Sequence, residues 1–168
     1  MVAKIGRGKS LFGALSYNMD KVKHNTATVL AGQKIIESPD GTFTTAQISN
    51  SFQAYLAANR KTEKPVVHIS LNPDPDDRIS NNDYKVVAKD YMEKMGYGKQ
   101  PFIIFKHNDI ERSHIHIVTV CVDEEGRKIS DAFEKRKSMA ACRELEQKYN
   151  LKSAVKKKQS LTEPIFKP

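Results

Sequence analysis

The chain has 168 residues, of which 39% are hydrophobic and 29% are charged, and its formal net charge is +8. This length predicts one domain with its own core, and no apolar run approaches the roughly 18–20 residues that span a bilayer. The first residues lack the apolar centre of a signal peptide, and two cysteines are too few for a disulfide framework. We therefore expect a cytoplasmic protein without membrane insertion.

The first 36 residues predict a strand, a helix and a less regular segment. Residues 2–5 are expected to form a short strand that ends in a turn at 6–8, where two glycines flank an arginine. Ser10 is a candidate N-cap for a helix with Leu11, Ala14, Leu15 and Asn18 on one face. Residues 26–36 predict extended or irregular structure.

The middle of the chain predicts two helices with a strand between them. Apolar side chains at helical spacing follow Thr44, which indicates a helix with one buried face. Residues 65–71 are the clearest strand of the first half. Ser80 and Asp83 resemble a capping box at the start of the second helix, which is expected to end at Gly96.

A short polar connection joins two apolar runs, at 101–105 and 117–122, and this pattern predicts an antiparallel hairpin. His114 and His116 are two residues apart, so their side chains share one face of the second strand. His107 ends the first strand, and the hairpin would bring it opposite that pair.

Three imidazoles at one point form a facial metal site that leaves coordination positions open. Isolated histidines on strands are usually surface or core residues with satisfied hydrogen bonds, so a chance arrangement is the alternative. Three of the chain's five histidines fall within ten residues, and Asp109 lies between them as a candidate to orient a ring N–H. The pattern favours a metal site, but it does not name a reaction.

The last predicted helix covers residues 133–149. Its expected inner face consists of Met139, Cys142, Leu145 and Tyr149. Short antiparallel strands with helices packed on them predict an α+β fold, with a central antiparallel sheet in a two-layer or three-layer domain.

The charge and the pattern both change near the end of the chain. From Arg127 onward there are twelve Lys or Arg and five Asp or Glu, and a basic surplus of this kind favours nucleic acid as the partner. A solvated basic tail is the alternative for the lysines at 156–158. We expect a domain over residues 1–152 and a basic linker or tail over 153–168, which could begin a longer C-terminal region.

The spacing of His107, His114 and His116 resembles the metal motif of mobilization relaxases. These histidine–hydrophobe–histidine endonucleases nick one DNA strand to start conjugative transfer. The family often has His-Pro-His-x-His where this chain has Arg-Ser-His-Ile-His at 112–116, but all three presumed ligands are present. Three further stretches are similar to the family's nucleophile motif, second motif and closing helix: 15–17, 67–73 and 143–151. The resemblance extends to about residue 152.

The resemblance implies metal-dependent nicking of single-stranded DNA at an origin of transfer, through a 5′-phosphotyrosine intermediate. It implies a divalent ion on the three histidines, with Mg²⁺ or Mn²⁺ in use and Zn²⁺, Ni²⁺ or Co²⁺ also able to occupy such a site. It also implies a monomeric nuclease domain in the bacterial cytoplasm. Candidate partners beyond DNA are an accessory mobilization protein and a coupling protein.

Two tyrosines compete for the role of nucleophile. Tyr17 is similar in position to the relaxase nucleophile and has Lys21 nearby in the sequence. Tyr149 lies downstream of the histidines, as in rolling-circle replication initiators of the same superfamily, but it continues an apolar helix face. We favour Tyr17 and keep an initiator that uses Tyr149 as the alternative.

Asp109 is a candidate to position a ligand or to assist catalysis, although a carboxylate that caps its own loop explains it equally well. His68 and Ser70 share a strand face and are candidates to support the tyrosine or contact DNA. A purely structural role for His68 is the alternative.

Basic residues near the predicted site are candidates to contact DNA phosphates, which would position the strand without reading its sequence. These residues are Lys4, Arg7, Lys9, Lys21, Arg127 and Lys128. A DNA-binding module in which metal serves only stability is a further alternative function, and a hydrolase of small phosphoesters is another.

Overall fold

A computed structural model describes residues 1–108 and 112–154 of the chain. In chain order, the elements are β1 (Val2–Gly8), α1 (Leu11–Lys23), β2 (Ala27–Gln33), α2 (Thr45–Ala58), β3 (Val66–Asn72), α3 (Asn81–Lys94), β4 (Phe102–His107), β5 (His114–Val120) and α4 (Glu134–Lys148). The strands form one sheet in the order β1-β3-β5-β4-β2. Every pairing is antiparallel, which confirms the predicted α+β class.

Helices cover both faces of this sheet, so the domain has three layers. Alternate side chains of each strand point to opposite faces, and two separate apolar clusters result. Ile103 and Val118 pack beneath α1 and α2 in one cluster. Ile104 and Ile117 pack beneath α3 and α4 in the other. Strands β2 to β5 therefore contribute to two cores with different neighbours, whereas the apolar side chains of β1 pack only in the cluster beneath α3 and α4.

Short polar side chains begin the first three helices where the sequence predicts. The Ser10 hydroxyl accepts a hydrogen bond from the Gly13 amide at 2.9 Å, and Ser80 accepts from the Asp83 amide at 3.1 Å. Thr44 forms a reciprocal capping box with Gln47. These bonds satisfy amides that have no partner within the helix. Within the described ranges, no helix is long and apolar enough to cross a membrane.

The turn predicted at residues 6–8 is absent, and that prediction is wrong. β1 continues to Gly8, and Gly6 and Gly8 pair with His68 and Val66 of β3. Pairing with β3 keeps the segment extended despite its two glycines. The segment at 26–36 is partly regular, because Ala27–Gln33 forms β2 at the sheet edge beside β4.

Met139 was expected on the inner face of the last helix, and this prediction is also wrong. Its side chain is 62% exposed, whereas Ala141, Cys142 and Leu145 are buried. Together with Ser138 these residues follow the i, i+3, i+4, i+7 spacing of one helix face. Met139 lies about 100° around the helix from Ser138 and therefore faces away from the core.

Candidate metal centre and nuclease site

The β4–β5 hairpin brings the three predicted histidines together. His107 ends β4 directly opposite His114, which begins β5, and His116 follows on the same face as His114. One potential ligand nitrogen from each ring lies within 4.8 Å of the other two. The rings of His107 and His116 are stacked, with centroids 3.8 Å apart. These side chains lie on the sheet face that α1 and α2 cover.

Asn18 determines which nitrogen of His107 carries a proton. Its amide nitrogen donates to the carbonyl oxygen of Ala14 at 2.8 Å, so its oxygen faces His107. The His107 Nε2 lies 2.7 Å from that oxygen and must therefore donate. In the neutral ring, the lone pair is then on Nδ1, the nitrogen that remains for a metal.

His68 is the hydrogen-bond partner of His116. The Nε2 of His68 lies 2.8 Å from the Nδ1 of His116. Burial lowers the pKa of His68 below its usual value. An imidazole nitrogen accepts or donates this hydrogen bond according to its tautomer. When His116 donates from Nδ1, its Nε2 holds the lone pair that a metal requires.

The donor set therefore fits a divalent transition-metal ion. Three imidazoles converge, and the hydrogen bond to the Asn18 oxygen selects the metal-binding tautomer of His107. Neutral imidazoles suit Mn²⁺, Co²⁺, Ni²⁺ and Zn²⁺. The sequence placed Asn18 on the inner face of α1 without assigning it a role. The sequence signal for such a role is an asparagine on the predicted buried face of α1, directly after Tyr17.

Tyr17 lies beside this cluster at the surface of α1. Its ring centroid is 6.0 Å from that of His68, 6.1 Å from that of His107 and 6.2 Å from that of His116. The side chain is 48% exposed, and the Lys21 ammonium lies 5.3 Å from the centre of its ring. A phosphodiester could therefore reach the tyrosine from solvent.

The family model described as "Relaxase: MobA/VirD2-like, nuclease domain" matches residues 17–151. The chain belongs to the relaxase family. The match includes Tyr17 and all three histidines, and it ends near the predicted domain limit. Neither the curated proteins nor the solved structures contain a significant match. Membership gives this relaxase domain a general role in DNA nicking and mobilization.

Tyr149 of the relaxase domain lies on the opposite side of the sheet from the histidines. It packs against the cluster beneath α3 and α4, and its hydroxyl donates to Asp90 at 3.3 Å. Burial raises the pKa of Tyr149. The structure does not bring this tyrosine to the histidine cluster.

Besides Lys21, which lies beside the Tyr17 ring, the predicted DNA-contacting residues fall into two groups. Lys4 and Lys9 are exposed, and Lys4 lies on the histidine face because it is paired with Ser70, the partner of His116. The Ser70 hydroxyl accepts a hydrogen bond from Asn72 at 3.1 Å.

Three other candidates pair with acidic residues. Arg7 points toward α4 and binds both carboxylate oxygens of Glu134, at 2.7 and 2.5 Å. Arg127 pairs with Glu125 at 2.8 Å, and Lys128 pairs with Asp131 at 3.1 Å. The structure does not bring Arg7 to the histidine face. Asp109, the predicted positioning carboxylate, lies outside the described residues.

Proposed function

We propose that this relaxase domain nicks one DNA strand at an origin of transfer and stays joined to the cut end through Tyr17. The observation that carries the proposal is the position of the Tyr17 ring, about 6 Å from three histidine rings and open to solvent. Within the described residues, no other tyrosine makes ring contacts with the histidine cluster.

The proposed reaction is a transesterification. The Tyr17 Oη attacks the scissile phosphorus, a Tyr–O–P bond forms, and the bond from phosphorus to the 3′ oxygen breaks. The phenolic proton passes to solvent, since Tyr17 is half-exposed, and the departing oxygen takes a proton to become a 3′ hydroxyl. The 5′ phosphate remains on the tyrosine. One phosphodiester replaces another, so the strand can be rejoined by the reverse attack.

His107, His114 and His116 would hold the divalent cation. We propose Mg²⁺ or Mn²⁺ as the working ion, although imidazole ligands bind Ni²⁺ and Zn²⁺ more tightly, because metal availability and not affinity alone decides which ion is used. When bound, the cation would supply Lewis-acid polarisation of the phosphate and positive charge for the transition state. The hydrogen bonds of His107 to Asn18 and of His116 with His68 keep these two rings in position before substrate arrives. A tyrosine hydroxyl has an ordinary pKa of about 10 and needs such assistance at neutral pH.

Single-stranded DNA is the proposed substrate. Lys4 and Lys21 are the proposed phosphate contacts on the histidine face, and the exposed Lys9, directly after β1, is a further proposed contact. Each phosphate neutralised would steepen the salt dependence of binding. Asp109 remains a proposed positioning residue. An accessory mobilization protein and a coupling protein remain proposed partners, and the cytoplasm remains the proposed location.

Two alternatives have less support. A replication initiator that uses Tyr149 would need this tyrosine near the metal ligands. The Tyr149 hydroxyl instead donates a hydrogen bond to Asp90 on the far side of the sheet. A module in which metal serves only stability would not need an exposed tyrosine beside the ligands. Arg127 and Lys128 are also less favoured as DNA contacts, because each is paired with a carboxylate.

A covalent-adduct assay tests the proposal. Wild-type protein, Tyr17→Phe and Tyr149→Phe are mixed with single-stranded oligonucleotides tiled across the flanks of the protein's own gene, with Mn²⁺ or Mg²⁺. Denaturing gels should show a metal-dependent band of protein joined to DNA in the wild type and Tyr149→Phe, but not in Tyr17→Phe. Loss of the band only in Tyr149→Phe would contradict the proposal and favour the initiator.

A further inference from the structure

The edge strand β1 extends the surface that carries the histidines. Its residues on the histidine side are Val2, Lys4, Gly6 and Gly8, which together we call the β1 shelf. Within the described residues, β1 pairs only with β3. Lys4 lies opposite Ser70, which lies opposite His116, and Gly6 lies opposite His68. Two strand spacings, about 10 Å, separate Lys4 from His116.

The fold itself does not explain the two glycines of the shelf. Neither has a positive φ, so another residue could adopt the same backbone. A Cβ on Gly8 would have no neighbour within 4 Å, and one on Gly6 would meet only the His68 carbonyl oxygen at 3.9 Å. Glycine inside a strand weakens it and often marks a place where a ligand approaches the backbone.

Gly126 provides a contrast within the same chain. It has a φ of +81°, and a Cβ there would collide with the backbone of Ala58. Turn geometry and packing both require that glycine. At Gly6 and Gly8 neither reason applies, and the space above them opens to solvent on the side of the candidate centre.

We propose that the β1 shelf carries the single DNA strand, and that Gly6 and Gly8 keep it clear so that nucleotides lie directly against the strand backbone. This inference rests on the proposed function and deepens it by naming the surface beside the centre that the substrate occupies. The exposed Lys4, between Val2 and Gly6, supplies positive charge on this surface. Contacts of this kind position DNA without reading its sequence.

The inference predicts that adding side chains to the shelf preserves the fold and impairs DNA binding. Gly6→Val and Gly8→Val are the test variants. Thr28→Val is the control, because it places the same side chain at an exposed position of the other edge strand, on the opposite face of the sheet. The probe is a fluorescein-labelled oligodeoxythymidine of about 20 nucleotides, longer than the roughly 4–16 nucleotides that OB folds cover.

Three quantities are measured for each variant: the Kd for the probe by fluorescence anisotropy, the Kd for Ni²⁺ by calorimetry, and the thermal midpoint. Each shelf variant should bind the probe on the order of tenfold more weakly than the wild type. Its Ni²⁺ affinity should be unchanged, and its midpoint should be equal or higher, because valine favours strands. Thr28→Val should match the wild type in probe and Ni²⁺ binding.

The inference is overturned if the shelf variants bind the probe as tightly as the wild type, or if the wild type does not bind it. It is also overturned if probe binding, Ni²⁺ affinity and midpoint fall together, because the glycines would then serve the fold. The adduct assay separates this result from the parent proposal. If the wild type forms the Tyr17 adduct and the shelf variants bind the probe normally, only the role of the β1 shelf is rejected. If the shelf variants bind the probe more weakly but the wild type forms no adduct, only the role of Tyr17 as nucleophile is rejected.

Discussion

The two faces of the central sheet differ in how far their apolar surface extends. On the face beneath α3 and α4, Ile69, Leu71, Ile115 and Ile117 form a continuous apolar layer. On the face beneath α1 and α2, the apolar layer includes Val66, Ile103, Phe105 and Val118. Beyond it, the same strands carry His68, Ser70, His114 and His116, which are only partly buried.

Side-chain alternation in the strands produces this difference. In β5, Ile115 and Ile117 belong to the apolar cluster beneath α3 and α4, while His114 and His116 point to the other face. The seven residues of β5 therefore serve two purposes: those on one face contribute to folding, and His114 and His116 on the other face contribute to the candidate centre. Substitutions on the two faces should accordingly separate stability from chemistry.

The largest expected effect is that of His116→Ala. Removing one of three ligands should weaken Ni²⁺ binding by at least about 100-fold and abolish the adduct, because even outer partners of metal ligands contribute 10–100-fold. Metal at 100 times its Kd should stabilise the wild type by about 2.7 kcal/mol, and the variant should lose that gain in thermal melting.

His24→Ala is the matched control for this ligand variant, because His24 is exposed and its ring contacts only the Asp20 carbonyl oxygen among the described contacts. It should retain both the metal-induced stabilisation and the adduct. If His116→Ala formed the adduct at the wild-type rate, the proposed ligand set would be wrong.

The opposite face should show the reverse behaviour. Leu145→Ala removes a fully buried side chain beneath α4 and should lower the free energy of unfolding by about 2–5 kcal/mol. Adduct formation per folded molecule should not change at a temperature where the variant remains folded. Urea denaturation measures the first quantity, and the exposed Met139→Ala should change it by less than about 0.5 kcal/mol. A specific loss of adduct in folded Leu145→Ala would break the separation between the faces.

A smaller effect is expected for the partner of His107. Asn18→Ala removes the acceptor for the His107 Nε2 proton and should weaken Ni²⁺ binding by about 10–100-fold. Asn18→Asp keeps an acceptor at that position and should recover most of the affinity, as calorimetry would show. Equal losses in both variants would mean that Asn18 acts only through packing.

The smallest effect is expected at Asp90, on the α3–α4 side. The hydrogen bond from Lys148 holds the pKa of Asp90 below its usual 3.8. A carboxyl with a lowered folded-state pKa contributes stability above its unfolded pKa and loses it as the pH falls through the folded value. Asp90→Asn should therefore be slightly less stable than the wild type at pH 7, and the difference should shrink below pH 3.8 in thermal melts. A difference that persisted in acid would exclude this ion pair as its source.

Local patterns in the sequence predicted much of the fold and the clustering of the three histidines. The caps at Ser10, Thr44 and Ser80 and the His-Ile-His alternation depend on neighbouring residues alone. The length of β1 was not predictable in this way, because pairing with β3 keeps Gly6 and Gly8 extended. The exposure of Met139 was missed for a similar reason, since the inner face of α4 is determined by its contacts with α3 and β1.

The candidate site required tertiary information of the same kind. The role of Asn18 depends on how α1 lies on the end of β4, which no local pattern states. The choice between Tyr17 and Tyr149 depends on which face of the sheet each helix covers. The order of residues in the chain left both tyrosines as candidate nucleophiles, whereas the structure places them on opposite faces of the sheet. The domain limit at residue 152 remains a prediction.

If Tyr17 carries the DNA strand, the adduct should map to this residue. The wild-type adduct is trimmed with nuclease, digested with trypsin and analysed by mass spectrometry. Trypsin releases Tyr17 within residues 10–21 and Tyr149 within residues 149–152. We predict a nucleotide-modified 10–21 peptide with the modification on Tyr17. Modification of the 149–152 peptide, or of any residue other than Tyr17, would show that Tyr17 is not the nucleophile.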